Sequence, residues 1–212
     1  MAKNYLTEFI GTFFLVLTIG LTGSSGSPLA PLAIGSMLMV MCYMGGAISG
    51  AHYNPAVTLA VFLRGKLPAR EVAPYMVVQV LGAIFAALVV HYLTGKTFAP
   101  DPSMEVTKVG ATIAEFLGSF ALALVVLNTA TASITANNSY FGLAIGFTVM
   151  VGAIASGGIS GGAFNPAVEI GPALVRRAFD GTSLANIWLY LVGPFLGGAA
   201  AALVFKLQHP GD

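Results

Sequence analysis

The chain has 212 residues, 57% of them hydrophobic and 8% charged, with a mean hydropathy of +0.87. Soluble domains carry about 25% charged residues, so this composition describes a polytopic membrane protein and excludes an ordinary soluble enzyme or binding module. A net charge of +1, without a basic block or acidic tail, speaks against nucleic acid or any strongly charged partner. The lone cysteine, Cys42, allows no internal disulfide, matches no metal-ligand spacing and reads as a small apolar packing residue. No metal or cofactor is implied.

Six apolar runs are long enough to span a bilayer: Tyr5–Leu21, Pro31–Ile48, Ala73–Leu93, Ala111–Ala132, Tyr140–Ser156 and Leu184–Leu207. The first, entered through MAKNYLTEF, holds Glu8 and no small-residue cleavage site, which predicts a spanning helix and not a removed signal peptide. After the second run comes SGAHYNPAV (49–57), and after the fifth its near copy SGGAFNPAV (160–168). In each, Asn54 or Asn165 is a good helix N-cap, because its side-chain oxygen can accept from free N–H groups of the first turn. Pro55 or Pro166 then takes the first helical position, where a missing N–H costs nothing, and Ala56 or Ala167 follows. The helices so started, Pro55–Leu63 and Pro166–Val175, run nine and ten residues. At about 1.5 Å per residue each covers about half of a roughly 30 Å hydrocarbon core.

Residues 95–110, with two prolines and four charges, read as a linker between two halves. TEFIGTF (7–13) returns as AEFLGSF (114–120) at an offset of 107, whereas the Asn-Pro-Ala segments and Gly82/Gly193 repeat at 111. Four extra residues therefore fall between the fourth span and the second half-helix. Three spans per half is odd, so the second copy crosses the membrane in the opposite sense. The predicted fold is an all-α membrane protein with six transmembrane helices and two re-entrant half-helices. It forms one domain over 1–212, with inverted repeats at about 1–100 and 108–212. Gly142/Gly146 and Gly193/Gly197 have the spacing that lets helix backbones approach closely in lipid. Lys and Arg divide five to four in favour of termini on the inner side.

The doubled Asn-Pro-Ala box after Ser-Gly, the glutamate at the head of each half and Gly171-Pro172-Ala173-Leu174 after the second box together resemble the aquaporin family over nearly the whole chain. The resemblance implies a narrow pore within six tilted helices, a homotetramer with one pore per subunit, and cytoplasmic termini. The cell (inner) membrane is the expected location. It implies passage of water and small neutral solutes.

The physics of the boxes points the same way. Two helix N-termini aimed at one point bring together about +0.5 charge each and oppose a cation or hydronium there. With each Asn oxygen engaged by its own helix, both side-chain NH2 groups are expected to be free to donate to a passing oxygen. Glu8 and Glu115, costly inside spans, are expected to accept from backbone N–H groups of the re-entrant loops. His52 either lines the inner vestibule or satisfies a loop carbonyl.

In most of the family an arginine directly follows the second box and joins three other residues in an outer constriction. Here that place is Val168, and ungapped counting puts the other three on Ile34, Ala153 and Gly162. Such a ring is small, neutral and apolar, and should admit glycerol, urea or undissociated metalloid acids as well as water. Glu169 either brings a negative charge to the outer mouth or points away as a surface residue, the latter being the expectation. Gly158-Ile159-Ser160-Gly161 fits the GxSG of intramembrane serine proteases. No histidine lies within a late span to serve as its base, and Ser49 repeats the serine, so no catalytic residue is assigned. A gradient-coupled transporter is the other alternative, since it too uses broken helices, and a water-selective channel is the narrower one.

Overall fold

The computed structural model describes residues 1–212, which form eight α-helices and no strand. They are α1 (Ala2–Ser24), α2 (Ala30–Ser49), α3 (Pro55–Leu63), α4 (Ala69–Thr94), α5 (Lys108–Val126), α6 (Phe141–Ser160), α7 (Pro166–Asp180) and α8 (Leu189–Gln208). Six are long and apolar enough to cross a membrane, α5 doing so with the π turn Leu127–Thr131 that continues it. The two halves pack alike: α1 lies along α4 and α2, as α5 lies along α8 and α6, and α2 and α6 join the halves. α3 and α7 enter between these helices and touch one another.

Small residues set the helix seams. A methyl group on Gly82 would lie 2.6 Å from the Phe9 carbonyl oxygen, and one on Gly197 2.5 Å from that of Phe116. On the α2–α6 seam, a methyl on Gly35 would lie 2.6 Å from the Gly146 carbonyl oxygen. Lipid supplies no hydrophobic force between helices, so this close backbone packing holds the bundle together.

The half-helices differ more than their sequences suggest. α3 spans the nine residues from Pro55 to Leu63, but α7 runs 15 residues to Asp180, five beyond the apolar run. Its last turns carry Arg176, Arg177 and Asp180, and it stops at Gly181 in the left-handed conformation. Cations near a helix C-terminus suit the macrodipole, and the polar turns sit where the helix leaves the apolar core. The last span begins at Leu189, not Leu184, because residues 184–188 fold into tight turns with Ile187 N–H donating to Leu184 and Leu189 N–H to Asn186. α6 runs four residues past Ser156 and ends at Gly161, also left-handed (φ 87°). The four additional residues of the second half have a clear place. Residues 25–29 join α1 to α2, whereas 132–140 join the end of the π turn to α6.

At the end of α3 a polar clamp closes the chain. Arg64, 7% exposed, donates to Asp212 Oδ1 at 2.8 Å and to the Thr131 carbonyl at 3.3 Å, and its guanidinium lies 4.6 Å from the Phe205 ring centre. The Asp212 carboxylate also accepts from the Ser133 hydroxyl at 2.6 Å and the Ser133 N–H at 2.8 Å. These Ser133 hydrogen bonds, and then Arg64, hold the Asp212 pKa down from 3.8 to about 2. Its folded value is the lower one, so the clamp stabilises fully above the unfolded value and is lost as pH falls through the folded one. An Asp212→Asn protein should melt below the native protein at pH 7. That gap in melting temperature should hold to about pH 4 and close as the pH approaches about 2.

Candidate functional site

The two boxes meet inside the bundle. Asn54 and Asn165 are each 3% exposed and have extended backbones that turn into the helices they cap. Asn54 Oδ1 accepts from Ala56 N–H at 2.8 Å, and Asn165 Oδ1 from Ala167 N–H at 3.0 Å. The sequence leads one to expect both side-chain NH2 groups to be free, but each already donates once. Asn54 donates to the Phe164 carbonyl at 2.8 Å, and Asn165 to the Tyr53 carbonyl at 2.9 Å. Each amide has two N–H donors, so one is spent bonding the opposite loop and one remains. The exchange follows from the irregular backbone, whose carbonyls need donors at membrane depth.

Tyr53 and Phe164, the residues before the asparagines, share a left-handed backbone (φ 49° in both). Their rings lie against Gly11 and Gly118, where any side chain would collide with them. Sequence reasoning passed over this pair, although an aromatic at the same place in both copies, opposite a repeated glycine, was a usable signal.

Behind each loop stands a buried glutamate. Glu8 Oε1 accepts from the Ser49 hydroxyl at 2.6 Å and His52 N–H at 2.9 Å. Its Oε2 accepts from Tyr53 N–H at 2.7 Å and Gln79 Nε2 at 2.8 Å. Glu115 accepts from the Ser160 hydroxyl at 2.7 Å, Ala163 N–H at 3.0 Å and Phe164 N–H at 2.6 Å. Ser160 is thereby committed to the carboxylate and fully buried. Tyr75 donates to the Ser49 carbonyl at 2.9 Å and Tyr190 to the Ser160 carbonyl at 2.5 Å, tying each half-helix entrance to a spanning helix.

His52 is 6% exposed and lines both the central cavity and a second recess at the end of the bundle where Met1 and Lys66 lie. Its Nδ1 is 3.2 Å from Thr58 Oγ1, and Thr58 is not a loop carbonyl. That hydroxyl already donates to the Asn54 carbonyl at 3.0 Å and accepts from Gln79 at 2.9 Å. It therefore accepts from His52 as well, which puts the imidazole proton on Nδ1 and leaves Nε2 as an acceptor. The repeat does not reveal Gln79 or Thr58, because at the offset of 111 their places are taken by Tyr190 and Glu169.

A cavity of about 80 Å³ runs past both asparagines, and 14 of its 20 lining residues are hydrophobic. Ile34, Ala153, Gly162 and Val168 all line it. No ionised side chain does, so an ion entering would exchange its hydration for an apolar wall. Glu169 is not a surface residue: it is 3% exposed, and its Oε2 has no hydrogen-bond partner. It stands in the first turns of α7, which the bundle surrounds; the sequence could not show that enclosure.

Six spans enclosing two opposed half-helices, with a narrow cavity between them, define a membrane channel fold. The chain belongs to the major intrinsic protein family, whose model matches residues 1–205. It is 36% identical over 212 residues to aquaporin NIP1-4 of Oryza sativa subsp. japonica, covering 95% of this chain and 75% of that one. It is 34% identical to aquaporin AqpM of Methanothermobacter thermautotrophicus, covering 97% of both chains. To the glycerol uptake facilitator protein-like 6 of Lactiplantibacillus plantarum it is 33% identical, over 99% of this chain and 100% of that one. The fold is similar to that of the aquaglyceroporin from Plasmodium falciparum, with a TM-score of 0.87 at 22% identity, over 99% of this chain and 97% of that one. Members of this family are channels and not enzymes. The protein is an integral, multi-pass membrane protein.

Proposed function

We propose that the chain is a single channel domain that conducts water and small uncharged solutes, such as glycerol, urea and undissociated metalloid acids, down their own gradients. The observation that carries this reading is the cavity shared by Asn54, Asn165 and the apolar set Ile34, Ala153, Gly162 and Val168. Asn54 and Asn165 each offer the passing solute one N–H, in a direction held by the bond to the opposite loop. Two half-helix N-termini oppose cations at the same depth. Glu8 and Glu115 keep the two loops in place, and His52 offers an acceptor on the inner approach. The constriction of Ile34, Ala153, Gly162 and Val168 lacks a fixed charge and an aromatic ring, which favours solutes larger than water. The similarity to a glycerol uptake facilitator protein-like relative supports that direction. The working form is a homotetramer in the cell (inner) membrane with termini in the cytoplasm.

Stopped-flow light scattering on proteoliposomes tests this. Water, glycerol and urea should all move faster than through empty vesicles, and a protonophore should leave the rates unchanged. Passage of water alone would overturn the wide constriction. Uptake that saturates and disappears with the proton or sodium gradient would replace the channel by a coupled transporter.

A further inference from the structure

The linker between the halves reaches the same cavity. Pro100 lines it together with Ile34, Ala153, Gly162 and Val168. Resting on the channel reading above, we infer that Pro100 is a fifth wall of the outer constriction and that the Asp101–Arg176 pair holds it there.

The linker is a strap laid across one mouth of the bundle. Leaving α4, it is tied to the end of α1, where Lys96 Nζ donates to the Ser24 carbonyl at 2.9 Å. It is tied to α7 where Thr97 donates to Asp180. The Phe98 ring lies over Gly20 and anchors the strap in the apolar core beneath. Arg176 Nη1 then donates to Asp101 Oδ2 at 2.5 Å, and Ser103 N–H donates to the Ile159 carbonyl at 3.0 Å before the chain enters α5. Five attachments in eight residues make this a fixed part of the wall.

The strap descends where the second loop has no side chains. Gly161 and Gly162 both have positive φ, 87° and 64°. A methyl on Gly161 would lie 3.0 Å from Pro100 Cβ and 3.1 Å from Asp101 N. The space beside Gly161 is thus filled by the strap. A proline suits that place, because it offers an apolar ring with fixed φ and no N–H to leave unpaired at the cavity. Pro102 stiffens the next step, since both prolines force the preceding residues, Ala99 and Asp101, into extended conformations. Arg176, two turns after Val168 on the same half-helix, brings a positive charge to this mouth, but its guanidinium pairs with Asp101 of the strap.

The test is the ratio of glycerol to water permeability in proteoliposomes, which does not depend on how much folded protein each preparation contains. Pro100→Ala should raise the ratio and Pro100→Phe should lower it, each by up to about tenfold, the low end of discrimination from one methylene-scale contact. Arg176→Gln leaves the proline and the other four attachments intact, removes the ion pair next to Pro100 and should move the ratio in the same direction as Pro100→Ala. Glu105→Gln, at an exposed strap residue without a side-chain partner, should not change it. A native protein that passes glycerol, with a ratio unmoved in Pro100→Ala, Pro100→Phe and Arg176→Gln, would overturn the fifth wall and leave the channel standing. Passage of water without glycerol in the native protein would overturn the wide constriction, and the fifth wall with it, and would leave a water channel.

Discussion

Glycerol and urea permeation should fall by at least about tenfold in a Val168→Arg variant while water permeation persists, a barrier increase of about 1.4 kcal/mol for the larger solutes. Val168 is 3% exposed and lines the cavity, in the first turn of a half-helix whose N-cap and position are fixed. Arginine there adds length that the apolar cavity must accommodate, five N–H donors and a permanent charge. The length excludes glycerol and urea. The donors hold a water oxygen at the cost of only some of its mobility, and the charge adds to the half-helix dipoles against cations. Water and glycerol permeabilities of the two proteins, measured side by side, decide the matter. An unchanged ratio would mean that the narrowest point lies elsewhere along the cavity.

The second large effect concerns stability. Glu8→Ala should lower the melting temperature more than any substitution on the pore wall, and more than Glu115→Ala. Truncating Glu8 strands the Ser49 hydroxyl, the N–H groups of His52 and Tyr53, and one Gln79 N–H. Each buried donor left without a partner costs about 1–3 kcal/mol, so the loss amounts to several kcal/mol. Glu115 has three such partners and no glutamine behind it. Glu8→Gln should fall between, because its amide oxygen still accepts from the loop while its NH2 group confronts other donors. Thermal unfolding in detergent, followed by circular dichroism, reads the order. A Glu8→Ala protein melting within about 2 °C of the native one, equivalent to less than 1 kcal/mol, would show that the loop is held by other means.

Much of this architecture was legible because the repeat writes each feature twice. The half-helix starts were readable from asparagine and proline at fixed positions, since capping depends on local chemistry alone. α3 ends where its apolar run ends, whereas α7 does not. An apolar run marks the lipid-depth part of a helix, and α7 continues with Arg176, Arg177 and Asp180 into polar surroundings. The donors left on Asn54 and Asn165 were misjudged because their second partners are carbonyls 110 and 112 residues away. Glu169 likewise depends on what surrounds α7, which no local pattern records. Composition reads residues 95–110 as a linker, but it does not say that this segment also descends into the cavity at Pro100.

The reciprocal bonds from Asn54 to the Phe164 carbonyl and from Asn165 to the Tyr53 carbonyl bear on how the protein is made. A chain leaving the ribosome presents Asn54 to the membrane while Phe164 is still untranslated. The first re-entrant loop therefore waits in an unfinished state through the insertion of three more spans. The arrival of the second loop closes both at once. Synthesis order thus leaves the first box without its partner donor and acceptor until the second loop has been made.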